Sequence, residues 1–245
     1  MTEPYELMLD CKDQGGNAVI PAPNICIVLL TYLRTEFAVR TIQGVCDNLD
    51  YPRELRTWYV ADDGSPREHI GAIFKTLEDN GESLYRYHND KYRKGTPFCG
   101  IGWNRALEFA HMHSDYVLWL EDDWVLQESL DIRPWVRMLK EREDVGIVRM
   151  SGLATGNDVR IVAHNGVHYL QYLRKSKMAY SGNPLIRHVR FKNKYGLFDT
   201  KRSPGAMEIS YDEAFRAQDG PDIWRPASIN AWGVWGHIGR ERTWK

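Results

Sequence analysis

The chain has 245 residues, with 32 basic against 33 acidic side chains and a formal net charge of −1. That length suits one substantial core in one or two lobes, and the balanced charge gives no overall field for a nucleic acid or an anionic membrane. Cys11, Cys26, Cys46 and Cys99 show no CxxC spacing, the amino terminus lacks a basic and apolar leader, and no apolar run reaches the roughly 20 residues that cross a bilayer. The expectation is a protein with no transmembrane segment, in a reduced, cytoplasmic compartment.

Residues 1–23 form a lead-in that ends in Ile20-Pro21-Ala22-Pro23. Ile25 to Leu30 is a continuous apolar run, which predicts a strand buried on both faces. After Thr31-Tyr32-Leu33-Arg34, the spacing of Phe37, Val45 and Leu49 predicts a helix over 37–49, closed by Tyr51-Pro52. The pattern then repeats as a strand over 55–60, a turn at Ala61-Asp62-Asp63-Gly64-Ser65-Pro66 and a helix over 68–77. A strand over 84–87, a polar loop over 88–97, a helix over 100–111 and a strand over 116–120 follow. Farther on, a helix over 132–142 and strands over 145–150 and 165–172 are expected, with a turn at 183–186 and a helix that includes 211–217. Strands alternating with helices predict an α/β fold, a mostly parallel central sheet flanked by helices. The nine tryptophans and thirteen tyrosines serve the core, a partner surface or a ligand cleft.

Chemistry concentrates at Leu120-Glu121-Asp122-Asp123. Inside a strand, alternation would turn at least one acid into the core at a high desolvation cost. At the carboxyl end of a strand, where open α/β sheets bind ligands, three acids suit a hard divalent cation, with Asp123 as the direct ligand and Glu121 or Asp122 as sugar contact or outer support. Asp62-Asp63 reads either as a helix-capping turn or as a carboxylate that accepts from a nucleobase or ribose. His237, in Trp235-Gly236-His237-Ile238-Gly239, either packs structurally or completes the carboxylate site. Glu208 reads as the first turn of a surface helix or as a general base, with Asp212 and Glu213 as neighbouring candidates. Arg93, Lys94, Arg105, Arg187 and Arg190 are candidate diphosphate or acceptor contacts, and Asn104 bonds backbone or ligand. Gly-x-Gly-x-x-Gly, Walker and HExxH patterns do not occur.

The order Thr31-Tyr32-Leu33-Arg34, Val60-Ala61-Asp62-Asp63-Gly64-Ser65, Gly102-Trp103-Asn104-Arg105-Ala106-Leu107 and Trp119-Leu120-Glu121-Asp122-Asp123 resembles the GT-A fold glycosyltransferases of the family 2 type. The resemblance implies a nucleotide-sugar-binding half over 24–126 and an acceptor-binding half over 127–245 of the same domain. It sets Thr31 and Arg34 beside the nucleotide and gives recognition of the base to the Asp62-Asp63 pair. Asn104 and Arg105 match an Arg-Asn pair in swapped surroundings, with Trp103 where an arginine is usual. Glu121-Asp122-Asp123 resembles an Asp-x-Asp element with glutamate first; Glu208 corresponds to the catalytic base, His237 to a late metal-completing histidine, and Asn183 to the acceptor wall. The implied activity is Mn2+- or Mg2+-dependent, inverting transfer from a nucleoside-diphosphate sugar, a UDP-sugar by default, to a small molecule, glycan, protein or modified DNA. A nucleotidyltransferase or pyrophosphate-handling enzyme would want a glycine- and lysine-rich phosphate loop after the first strand. A catalytically inactive nucleotide-sugar-binding protein is the non-enzyme alternative.

Overall fold

The computed structural model describes residues 22–82, 85–89, 99–150, 158–182, 184–228 and 234–239. The first half runs β1 (Ile25–Thr31), α1 (Thr35–Asn48), β2 (Leu49–Asp50), β3 (Arg56–Asp62), α2 (Arg67–Asp79), β4 (Tyr85–Asn89), α3 (Cys99–His113), β5 (Tyr116–Glu121) and β6 (Trp124–Leu126). The second runs β7 (Leu130–Asp131), α4 (Arg133–Glu141), β8 (Val145–Arg149), β9 (Val159–His164), β10 (Val167–Tyr172), β11 (Leu185–His188), α5 (Val189–Tyr195), α6 (Pro204–Ala217), β12 (Asp222–Pro226) and β13 (Trp235–His237).

Nine strands form one sheet in the order β4-β3-β1-β5-β11-β8-β12-β10-β9, and β6 and β13 form a separate two-stranded ribbon. The first four are parallel neighbours. Beyond β5, antiparallel pairing enters, because β11 and β10 run against the other strands. The sheet is therefore mixed, and it continues without a break from the first half of the chain into the second.

Strand alternation explains how one sheet builds two cores. Ile25, Ile27 and Leu29 face a cluster with Ile42 and Val45 of α1, Ile73 of α2 and Leu139 of α4. Cys26, Val28 and Leu30 face Ala106 and Leu107 of α3, Phe191 of α5 and Met207 and Phe215 of α6. All seven residues of β1 are buried, as the unbroken apolar run required. Burying each large aliphatic side chain contributes about 1.5–3 kcal/mol. Trp58, Trp119 and Trp224 are fully buried, as are Trp103, Trp135 and Trp235 nearly so, which assigns these tryptophans to the core.

Two expectations are corrected by turn chemistry and by pairing. The strand expected over 165–172 is the second arm of a hairpin, with Asn165 and Gly166 at φ of 46° and 75° as its two-residue turn. Asn-Gly accepts positive φ at both central positions and so suits this connection. The run 185–188 is a central strand between β5 and β8. It carries Arg187 into the interior, where the guanidinium lies 5.6 Å from the ring centre of Phe191 and 5.8 Å from that of Tyr211. Arg187 is thus a core cation and no diphosphate contact. Arg190 likewise points at protein, donating to the carbonyls of Leu139, Arg142 and Val145.

These two cations, one buried and one half-buried, act on nearby imidazoles. Burial, and then the Arg187 charge, pushes His111 down to about 3; burial, and then Arg190, pushes His188 down to about 4. Both values lie below the ordinary 6.5, so the unfolded chain binds more protons than the fold does at intermediate pH. This stability is complete above 6.5 and is lost progressively as pH falls toward about 4 for His188 and about 3 for His111. The melting temperature should therefore drop on acidification through that window, and less steeply in His111→Gln. A melting temperature flat across the window in the native protein would contradict neutral, buried imidazoles.

Candidate active site

The acids gather because of strand register. Along β1, Thr31 pairs with Asp62 of β3, and Leu30 pairs with Glu121 of β5. All three strands are parallel, so their carboxyl ends open on one edge, the usual ligand side of such a sheet.

Asp122 is fully buried and is held from several directions. It accepts hydrogen bonds from Thr31 Oγ1 at 2.9 Å and from the Tyr32 N–H at 3.2 Å, and it forms an ion pair with Arg34. Its own N–H donates to Leu30 O, and its carbonyl accepts from Thr41 of α1. Even so, burial outweighs Arg34 and Thr31 and pushes its carboxyl up to about 6.

Asp123 is 6% exposed. Its Oδ2 accepts from Arg34 Nη1 at 2.6 Å and stands 3.3 Å from His237 Nε2. The histidine reaches it through the ribbon, in which His237 of β13 pairs with Trp124 of β6 and the Ile238 N–H donates to Asp123 O. Gly239 then lies against the carboxylate, where a Cβ would come within 2.8 Å of Asp123 Cβ. The imidazole is half exposed and lies 4.9 Å from the Trp124 ring, centre to centre. Thus the two predicted metal ligands, distant in sequence, are adjacent in space.

Two ligands of one octahedral ion, each about 2.1 Å from it, stand about 3 Å apart when adjacent. The Asp123–His237 spacing fits that arrangement. Among the described residues, no three histidine, cysteine, aspartate or glutamate side chains form a group that could hold a metal ion.

Asp62 and Asp63 divide their work. Asp62 is fully buried and accepts from the N–H groups of Gly64 and Ser65 at 3.0 and 2.7 Å, the capping arrangement expected of the turn. Asp63 is half-buried, and its N–H donates to Thr31 O. Sequence reasoning missed His69, which is 2% exposed and lies 3.6 Å from Asp62.

Glu208, on α6, meets Glu121 across Gly182. The Gly182 N–H donates to Glu208 Oε1 at 2.8 Å. A Cβ on Gly182 would fall 2.7 Å from Glu121 Oε1 and closer still to Glu208. Burial, and then the Glu208 charge, holds the Glu121 carboxyl well above its ordinary range. Burial also raises Glu208, although the Gly182 hydrogen bond and then Arg149 oppose that rise. Arg149 was also missed; a lone charge closing the apolar run Ile147-Val148 was the available signal. The neighbouring acids are differently employed. Asp212 accepts from the N–H groups of Met178 and Tyr180, while Glu213 is exposed.

The remaining candidates lie outside this group. Both ends of the Asn104 amide are engaged by the backbone of Phe198, at 2.9 and 2.8 Å, so a ligand role is replaced by a structural one. Arg105 is exposed on α3, and Arg93, Lys94 and Asn183 lie outside the described residues.

The description "Glycosyl transferase family 2" matches residues 26–199, more than half of the chain. Among solved structures, the chain is similar to GalNAc-T7 with UDP, GalNAc and Mn2+, at TM-score 0.65 and 13% identity, over 93% of this chain and 46% of that one. It is similar to S. aureus TarS 1-349 with UDP-GlcNAc, at TM-score 0.61 and 14% identity, over 89% and 59%. A mannosyltransferase from Pyrobaculum calidifontis with GDP-Man and Mn2+ matches at TM-score 0.58 and 16% identity, over 84% and 55%. The chain therefore spans less than two thirds of each of these proteins. No curated protein matches the sequence.

The two glycines give a direct check on the geometry. Gly182→Ala and Gly239→Ala should each lower unfolding free energy by about 1–3 kcal/mol in denaturant titrations, the usual cost of overpacking. Gly71→Ala, where a Cβ meets nothing within 4 Å in the middle of α2, should instead leave stability unchanged or raise it. Equal behaviour of all three would contradict the close approach of these backbones to the acids.

Proposed function

Because the chain belongs to glycosyl transferase family 2, we propose that it moves a sugar from a nucleoside-diphosphate sugar to an acceptor hydroxyl, with inversion. The observation that carries this reading is one edge with two different acid sites: Asp123 beside His237, and Glu208 beside Gly182. The nucleotide sugars and Mn2+ held by the similar structures support the donor class and the metal.

In this mechanism the Asp62-Asp63 turn faces the nucleoside, and Thr31 and Arg34 border the diphosphate. A Mn2+ or Mg2+ ion held by Asp123 and His237 would supply Lewis-acid stabilisation of the departing diphosphate. Arg34 adds a fixed positive charge on the same side. Glu208 takes the acceptor's proton as the new bond to the anomeric carbon forms and the bond to diphosphate breaks. Its raised affinity for protons makes it a stronger base than a solvated carboxylate. Glu121, beside Glu208, is proposed as a sugar contact. The acceptor-side wall includes Gly182 and, from the sequence, Asn183.

The location is proposed as cytoplasmic. Cys26 and Cys46 are free thiols, both pushed up to about 12 chiefly by burial and hence inert. Among the described residues no helix is long and apolar enough to cross a membrane.

The test is a panel of nucleoside-diphosphate sugars, assayed by calorimetry and turnover with and without Mn2+. Native protein should bind at least one donor in a metal-dependent way, and Asp123→Ala should abolish that dependence. Failure of every donor with folded native protein would overturn the reading. Glu208→Gln should lower kcat by about 10²–10⁴-fold, the usual worth of a general base, with donor Kd nearly unchanged; comparable loss of donor binding would remove Glu208 from the base role.

A further inference from the structure

His69 lies on α2, in contact with the carboxyl ends of β1 and β3 and with the start of α1. Its Nε2 is 2.9 Å from Thr31 Oγ1 and 3.6 Å from Asp62 Oδ1. Its Nδ1 is 2.8 Å from Thr35 Oγ1, at the start of α1. Thr31 Oγ1 in turn donates to Asp122 Oδ2. A continuous chain of contacts thus runs from Asp62 through His69, Thr31 and Asp122 to Arg34, and from there to Asp123.

The direction of each hydrogen bond follows from donor counting. Asp122, paired with Arg34, is a carboxylate and can only accept. The single hydroxyl proton of Thr31 is therefore spent on Asp122. Thr31 Oγ1 must then accept from His69 Nε2, which has to carry a proton. Burial lowers the affinity of His69 for a second proton, more than the nearby Asp62 raises it. The imidazole is neutral, so Nδ1 is bare and accepts from the Thr35 hydroxyl.

We propose that His69 is a positioning residue that holds the Nε2–H tautomer, orders the Thr31 hydroxyl onto Asp122, and thereby fixes Asp122 and, through Arg34, Asp123. The proposal rests on the reading of Asp123 and His237 as metal ligands for its effect, but not for its geometry. Such outer groups matter because they orient a site that they never touch. A bland alternative is a buried histidine that merely fills space between α2 and β1. Leucine would serve that purpose equally well.

Two measurements separate these. Nitrogen NMR of the native protein should report a single His69 tautomer, protonated at Nε2 and bare at Nδ1; an Nδ1–H tautomer, or averaging between the two, would overturn the assignment. Mn2+ alone is then titrated by electron paramagnetic resonance into His69→Gln, His69→Leu, Thr31→Val and the His69→Leu/Thr31→Val double variant, with melting temperature followed in parallel. Outer groups of this kind are worth about 10–100-fold in metal affinity. His69→Leu and Thr31→Val should each lose about that much and the double variant little more, because the two act in series, while His69→Gln, which keeps a donor toward Thr31, should recover most of the affinity. Additive losses, or unchanged affinity in His69→Leu, would reduce His69 to a packing role. If the native protein itself takes no Mn2+, the metal reading fails, and the tautomer measurement alone decides the geometry proposed for His69.

Discussion

A carboxylate removed entirely from water must be satisfied by the protein, and the Asp122 carboxylate is satisfied by the end of β1 and the turn that follows it, while its backbone is held from α1. The strand end contributes Thr31 and the turn Tyr32 and Arg34, and α1 contributes Thr41 to its carbonyl. Removing one partner from such a group leaves a buried charge uncompensated, at a cost of several kcal/mol. That asymmetry is what locks the loops after β1 and β5 together. Neighbouring Asp123, itself only 6% exposed, is tied to this lock because the same Arg34 guanidinium reaches both carboxylates.

The two ends of the sheet are specialised in the same spirit. The parallel strands bring their carboxyl ends to one edge without any need for long side chains, since register alone sets Thr31, Asp62 and Glu121 within adjacent rows. The mixed strands beyond β5 do something else. By running backward between β5 and β8, β11 brings the preceding loop, with Gly182, to the mouth of β5. Glu208 then approaches from a helix rather than from a strand, and a glycine is the only residue with room for both carboxylates at that point.

How far the sequence carried this picture depended on whether a feature was local. Unbroken apolar runs such as Ile25 to Leu30 and helical spacing such as that over 37–49 report burial directly, so β1, β3, β5 and the first two helices were legible to within a few residues. Asp62, at the end of β3, was read as turn rather than strand, because chemistry at a strand end looks like chemistry in a loop. Short strands were harder. β6, β12 and β13 have five residues or fewer, too few to show a period, and their existence depends on partners far along the chain. His69 was invisible for a related reason: a histidine on a helix carries no mark of the two threonines and the aspartate that surround it in space. Asn104 stood open between backbone and ligand, and only the fold could show that its amide holds the backbone of Phe198.

The ribbon of β6 and β13 has three residues in each arm and is not hydrogen-bonded into the nine-stranded sheet. His237, one half of the proposed metal pair, is therefore held by far less structure than Asp123. Local opening of so small a unit costs much less than global unfolding, and an ion that needs both ligands binds only the closed fraction. The affinity measured for a metal would then be the product of two quantities, the intrinsic strength of the ligands and the population of closed ribbon. Residues such as Trp235, which is buried in the core beneath the ribbon, can tune the second without touching the first. For the proposed pair, variation in this short ribbon would thus reset the affinity for an ion while Asp123 and His237 both stay in place.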